Sequence, residues 1–228
     1  MEKKIIEMLE LQAKLNVETN WKDWKAWITE KGKIVNWRRC IYMEVAEAID
    51  SISWKHWKNI EWWIDYENFK VELIDVWHFL MSELLRFFTV DELVELIKKY
   101  LDSKSDIKLP IVWKKENNIE IDDIIEPYEH LMALSLIKID DKDYLENLIE
   151  SFFICLDSSS ISFDDLYKLY IWKNVLNKFR QDHGYKEWTY IKMWNWEEDN
   201  VTMQKIIENT LWFEEIYNWL EEVYIKLK

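Results

Sequence analysis

Glycine and proline are nearly missing from this chain, with two of each in 228 residues. Tight turns draw on both residues, so a fold made of hairpins is disfavoured. The phosphate-cradling loops Gly-x-x-x-x-Gly-Lys-Ser/Thr and Gly-x-Gly-x-x-Gly are missing too, which leaves no argument for a P-loop or a dinucleotide fold. Two cysteines, Cys40 and Cys155, are too few and too far apart for a disulfide framework or a thiolate metal site, and they fit a reducing cytoplasm. The four histidines show neither zinc-finger spacing nor a Ser/His/Asp or Cys/His pattern. Positive charge is also short. Lys and Arg number 30 against 44 Asp and Glu, and a net charge of -14 works against binding a nucleic-acid polymer, whose affinity comes from clustered cations. No uncharged apolar run is long enough to cross a bilayer, and the start from Met1 to Glu7 is interrupted by acids, unlike a signal peptide. A soluble cytoplasmic protein without a membrane partner is the expectation.

What the chain does contain is a repeating helical pattern. Nearly half of it is apolar, and Leu, Ile, Glu, Lys and Trp recur with a period near 3.6, which predicts an all-α helical bundle. Nothing in composition divides residues 1–228, so one domain is expected. Helices are predicted at about 2–18, 37–51, 67–88, 90–101, 121–137, 141–156 and 163–181, with further helices near 200–226 after a polar loop. Residues 103–119 read as a connector, and the run Ser158-Ser159-Ser160 with Asp164 as the approach to a helix start.

Chemistry concentrates in two acidic pairs. Glu44-x-x-Glu47 and Glu72-x-x-Asp75 each sit three apart inside apolar helical sequence, so each pair shares a helix face. If the two helices pack antiparallel, four carboxylates converge. Unpaired, they are too costly to bury, so they are either solvated or hold a multiply charged cation, and hard oxygen donors suit magnesium. A lone pair of this kind usually marks a solvated face. Here the flanking Ile, Val, Leu, Trp and Phe argue that some of the acids point inward. Asp50 continues the first spacing and reads best as a charge partner of Lys55 or Lys58, and His78 as a satisfied core histidine.

Three polar groupings accompany the acids. Gln12 and Asn16, at i and i+4, have amides able to read the edge of a base, though surface polarity is the ordinary role. Trp54-Lys55-His56-Trp57-Lys58 combines aromatic planes with cations, which suits a stacked base and phosphates but also an ordinary packed corner. Lys173, Asn177 and Arg180 place two cations and an amide on one helix face of an acidic chain, able to complement a triphosphate.

Five blocks, in order along the chain, resemble the dimeric all-α dUTPases. They are Leu11-Gln12-x-x-Leu15-Asn16; Trp37-Arg38-Arg39-Cys40-Ile41-Tyr42-Met43-Glu44-x-x-Glu47; Trp54-Lys55-His56-Trp57-Lys58; Glu72-x-x-Asp75-x-Trp77-His78-Phe79; and Lys173-Asn174-Val175-Leu176-Asn177-x-x-Arg180-Gln181-x-x-Gly184-Tyr185-Lys186. The resemblance implies a magnesium-dependent homodimer that hydrolyses dUTP, and usually dUDP, to dUMP. It implies that Glu44, Glu47, Glu72 and Asp75 hold metal, that Gln12 and Asn16 read uracil, and that Lys173, Asn174, Asn177, Arg180, Tyr185 and Lys186 belong to a block closing over the phosphates. Glu47, the inner acid of its pair, is the expected general base, with Glu44 the alternative. The acidic pairs alone also fit other all-α nucleotide pyrophosphohydrolases, acting on dCTP or on dNTPs generally.

One anomaly crosses these blocks. Ordinary glycine usage of about 7% would give roughly sixteen residues at this length. The chain has two glycines and sixteen tryptophans. The family resembled usually carries glycine at positions 172, 188 and 196, and Asn20-Trp21 reads like an Asn-Gly turn, whereas Trp37, Trp54, Trp57, Trp77 and Trp194 fall where that family is aromatic. The expectation is that Trp21, Trp172, Trp188 and Trp196 stand for UGA codons that the source reads as glycine; the alternative is genuine tryptophan enrichment.

Overall fold

A computed structural model describes residues 1–20, 23–29, 31–58, 64–103, 121–205 and 213–227. The fold is all-α. Among the described residues nine helices occur, with a single two-stranded hairpin. They are α1 (Glu2–Asn20), α2 (Trp37–Asp50), α3 (Tyr66–Leu84), α4 (Val90–Ser103), α5 (Ile121–Leu136), α6 (Lys142–Ser158), α7 (Phe163–Asp182), α8 (Asp199–Gln204) and α9 (Phe213–Ile225), with β1 (Met193–Trp194) and β2 (Glu197–Glu198) between α7 and α8. No described helix is long and apolar enough to cross a membrane.

The helix starts obey capping chemistry. Side chains of Asn36, Asp65, Asp141 and Ser162 accept from backbone N–H groups in the first turns of α2, α3, α6 and α7. Ser162, rather than the preceding serine run or Asp164, begins α7. Helix α3 ends at Leu84, four residues before the expected Phe88. A capping box starts α4 in a new direction just beyond it: Thr89 Oγ1 accepts from Glu92 N (3.2 Å) while the Glu92 carboxylate accepts from Thr89 N (2.7 Å). The described helices of the C-terminal stretch are α8 and α9, within the range expected for them.

Helices α2 and α3 form the central antiparallel pair. Arg38 at the start of α2 meets Glu83 near the end of α3 (2.7 Å), and the Ser51 carbonyl after α2 accepts from Asp65 N before α3 (2.9 Å). Helix α5 packs on α2 and α6 on α5, while α1 lies against α3, α4 and α7. The buried centre includes Leu9, Ile41, Val45, Leu73 and Trp77, whose indole stacks on Phe152 (4.8 Å between centroids). A second apolar cluster gathers Phe179, Trp194, Leu220 and Tyr224 on the other side of α7. This helix is covered on two sides, which is why Tyr170, Ile171, Val175, Leu176 and Phe179 are all buried along it.

Glu83 is buried and held by two guanidiniums, with Arg86 at 3.2 Å in addition to Arg38. Arg38 also donates to the carbonyls of Ile137 and Ile139, so its head joins α2, α3 and the chain leaving α5. The charge pair is thereby satisfied on several edges, the condition for burying it.

Candidate active site

The antiparallel pairing of α2 and α3 brings the acidic pairs together at a cleft of about 1230 Å3. Carboxylate oxygens of Glu44, Glu72 and Asp75 all lie within 4.8 Å of one another. Glu47 lines the same cleft but stands outside this triad and is exposed. Burial first, then the charges of Asp75, Glu47 and Glu72, push the Glu44 carboxyl up to about 8. Burial and Asp75 push Glu72 up to about 7, against the pull of Lys173. Two acids that resist ionising at neutral pH mark a site short of positive charge. Lys173 of α7 supplies part of it, with Nζ 2.8 Å from Asp75 Oδ2. The donors are hard carboxylate oxygens, so the residues fit a divalent cation of the magnesium type.

Along the cleft from the acids lies a buried amide network. Gln12 Nε2 donates to Asn16 Oδ1 (3.2 Å) and to Ser82 Oγ (2.9 Å), which uses both amide hydrogens. Its Oε1 accepts from His78 Nδ1 (2.7 Å), and the Tyr170 hydroxyl lies 3.2 Å away, sharing its one hydrogen between Gln12 Oε1 and the Met8 carbonyl. Asn16 Nδ2 donates once, to Ser82 Oγ (3.0 Å). Among the described residues, therefore, Gln12 has no amide hydrogen left to offer a ligand, whereas Asn16 retains one. Burial drives the His78 pKa down to about 3, so its ring is neutral, and Nε2 has no hydrogen-bond partner among the described residues.

The cationic wall comes from α7, and the segment after the hairpin supplies its acceptors. Arg180 donates from Nε and Nη2 to the two oxygens of Asp199 (2.8 and 2.7 Å), and Tyr190 OH donates to the same carboxylate (2.7 Å). Burial opposes the charge of both partners, but the hydrogen bonds and mutual attraction outweigh it, holding Arg180 protonated and Asp199 below the usual carboxylate range. Asn200 Oδ1 accepts from Lys173 Nζ (3.0 Å) and Arg180 Nη2 (3.2 Å), which links the acid cluster through Asp75 and Lys173 to α8.

Of the residues singled out in the sequence, Gln12, Asn16, Glu44, Glu47, Glu72, Asp75, Lys173, Asn177, Arg180 and Tyr185 line this one cleft. Six do not. Asn174 donates to the Tyr170 hydroxyl (3.1 Å), on the far side of the amide network, and Lys186 donates to the Glu18 carbonyl (2.7 Å). Lys55 is ion-paired with Asp50, the partnership expected of that acid. His56 and Trp57 meet edge to face (5.0 Å), and Lys58 closes a turn through its backbone N–H to the Lys55 carbonyl. This corner does not border the cleft among the described residues.

Sequence reading missed Ser82, Tyr170, Tyr190, Asp199 and Asn200. Ser82 carried a signal: it lies seven residues after Asp75 and four after His78, on the same face of α3. Asp199 carried none, because Glu197-Glu198-Asp199 reads as an ordinary solvated acidic run.

Fold and cleft together define an all-α enzyme scaffold with a carboxylate site for a divalent cation beside a polar pocket. Comparison with known families makes this particular. The dUTPase family model matches residues 4–185, most of the chain, and the chain belongs to that family. It is accordingly a dUTP diphosphatase, in a family that generally works with a divalent metal. No match is found among curated proteins. The hairpin, Asp199 and Asn200 lie beyond the matched residues, so the structure alone places Glu198 and Asn200 at the cleft and Asp199 buried against Arg180.

Proposed function

We propose that this enzyme hydrolyses dUTP to dUMP and pyrophosphate, and dUDP to dUMP and phosphate, with magnesium as its metal and as a homodimer of a single 1–228 domain acting in the cytoplasm. The observation that carries the reading is the convergence of Glu44, Glu72 and Asp75 at the cleft that also contains Asn16 and the Lys173–Arg180 wall. Glu44, Glu72 and Asp75 hold the metal, with Glu47 completing the set from the open side. A magnesium ion held by these residues would supply neutralisation of phosphate charge and activation of water. Glu47, exposed in the cleft and outside the compact triad, takes the proton from the attacking water, with Glu44 the alternative base. Lys173, Asn177 and Arg180 bind the phosphates and stabilise charge on the leaving group, with Tyr185 bordering them. Asn16 offers its remaining amide hydrogen to a base carbonyl, while Gln12 acts by holding Asn16.

The test is turnover of a nucleotide panel with magnesium and after chelation. Release of dUMP from dUTP and dUDP, lost on chelation, supports the reading. Equal turnover of dCTP would replace it with a broader dNTP pyrophosphohydrolase. For assembly, light scattering at micromolar concentration is expected to give twice the 28.3 kDa chain mass. Trp27, Ile34, Met43 and Leu136 are among the large apolar side chains exposed on one chain, the kind of surface a partner covers. A monomer would sink the dimer.

A further inference from the structure

The β1–β2 hairpin pairs Met193 with Glu198 and Trp194 with Glu197, leaving a two-residue loop, Asn195-Trp196. Both loop residues have positive φ, 49° and 74°. That is the signature of a type I′ turn, whose backbone twist matches the flanking strands and whose preferred sequence is Asn-Gly. Asparagine tolerates this region; a bulky residue there is an outlier. Trp196 is 97% exposed, so its indole gains no burial to offset the strained backbone.

A second turn repeats the pattern. Trp188 N donates to the Tyr185 carbonyl and Thr189 N to the Gly184 carbonyl, and Trp188 has φ 60° with 94% of its surface exposed. At the head of the same turn stands a real glycine. Gly184 has φ 87°, and a Cβ there would lie 2.0 Å from Thr189 Oγ1. The other glycine, Gly32, also has positive φ (75°). Both glycines of this chain therefore occupy left-handed positions, and among the described residues the two tryptophans found in that region of backbone are nearly bare. By contrast Trp77 and Trp194 are 0% and 1% exposed.

We infer that positions 188 and 196 are glycine in the native protein, encoded by UGA codons that the source reads as glycine and that translation as tryptophan has filled with indoles. Reading UGA as tryptophan where the source reads glycine raises one count as it lowers the other, so a single change of code links the high count of sixteen tryptophans to the low count of two glycines. The inference concerns the segment that carries Asn200 to the cleft and Asp199 to Arg180: its two turns are glycine turns. Trp172 lies within α7, where backbone geometry makes no demand for glycine, and Trp21 lies outside the described residues.

The gene provides the direct test. UGA at codons 188 and 196, with UGG at 77 and 194, is the expected result; UGG at 188 and 196 overturns the inference and makes those indoles true surface residues. An independent measurement compares Trp196→Gly with Trp196→Ala in the full chain. Both remove the indole, but only glycine relieves the left-handed backbone, so the glycine variant should melt roughly 2–4 °C higher than the alanine one. Equal melting temperatures would show that the turn does not call for glycine and overturn the structural argument. The same comparison at position 188 should give the same order.

Discussion

Ser82 Oγ shares its single hydrogen between the carbonyl of His78, one turn earlier on α3, at 2.8 Å and Asn16 Oδ1 at 3.2 Å. With that hydrogen committed, the hydroxyl can only accept, and it accepts from Gln12 Nε2 and Asn16 Nδ2 together. One buried oxygen thereby fixes the orientation of both amides on α1. It also directs Gln12 Oε1 toward His78, so that His78 carries its proton on Nδ1.

Ser82→Ala should therefore loosen base selection more than catalysis. Two buried amide hydrogens lose their acceptor, which costs about 1–3 kcal/mol and lowers the melting temperature by several degrees. The preference for dUTP over dCTP, read as the ratio of kcat/KM, should fall roughly five- to tenfold, with Ser82→Thr recovering most of it. An unchanged ratio in the alanine variant would show that Ser82 serves packing alone.

The acids should separate by role. Glu47→Gln should lower kcat on the order of 100-fold or more while magnesium still raises the melting temperature, because the triad of Glu44, Glu72 and Asp75 remains. Asp75→Ala should lose both turnover and the magnesium-induced shift. If Glu47→Gln also abolishes that shift, Glu47 is principally a metal ligand and the base is Glu44.

Stability without metal should fall as pH rises. Glu44 and Glu72 have folded pKa values near 8 and 7, above the unfolded range near 4.5, so between those limits the folded state binds more protons than the unfolded one. Raising the pH through that window favours unfolding. Chelated protein is expected to melt at a higher temperature at about pH 5 than at about pH 8. Saturating magnesium should flatten the profile and, added near pH 7, release protons into a weakly buffered solution. A chelated profile that rises across this window would contradict the raised pKa values.

Arg180 and Asp199 should behave as a coupled pair. Asp199 is fully buried, so Arg180→Ala leaves an uncompensated charge and should cost about 3–5 kcal/mol as well as weakening dUTP binding. Adding Asp199→Asn should restore part of the stability without restoring affinity. If affinity returns with stability, Arg180 acts on the cleft only through folding.

Much of this protein is legible in its sequence because helices are local. The 3.6 period and the scarcity of glycine and proline determined the fold class, and the three-residue spacings of Glu44 with Glu47 and Glu72 with Asp75 determined which acids share a face, since neither depends on distant parts of the chain. Even the oddity of Asn195-Trp196 is visible as a surplus of one residue beside a deficit of another. Tertiary structure decided what those faces meet. Only the packing of α1 on α3 shows that Gln12 spends its amide hydrogens on Asn16 and Ser82 and leaves Asn16 the one able to offer another. Only the path of the hairpin buries Asp199 against Arg180, nineteen residues away, turning an acid from a polar run into a fixed counter-charge. Periodicity overstates the length of α3 for a related reason: the apolar pattern continues past Leu84, but the Thr89–Glu92 cap and the packing of α4 redirect the chain. Hydrogen bonds between distant side chains have no period, so they leave no local trace for a sequence to show.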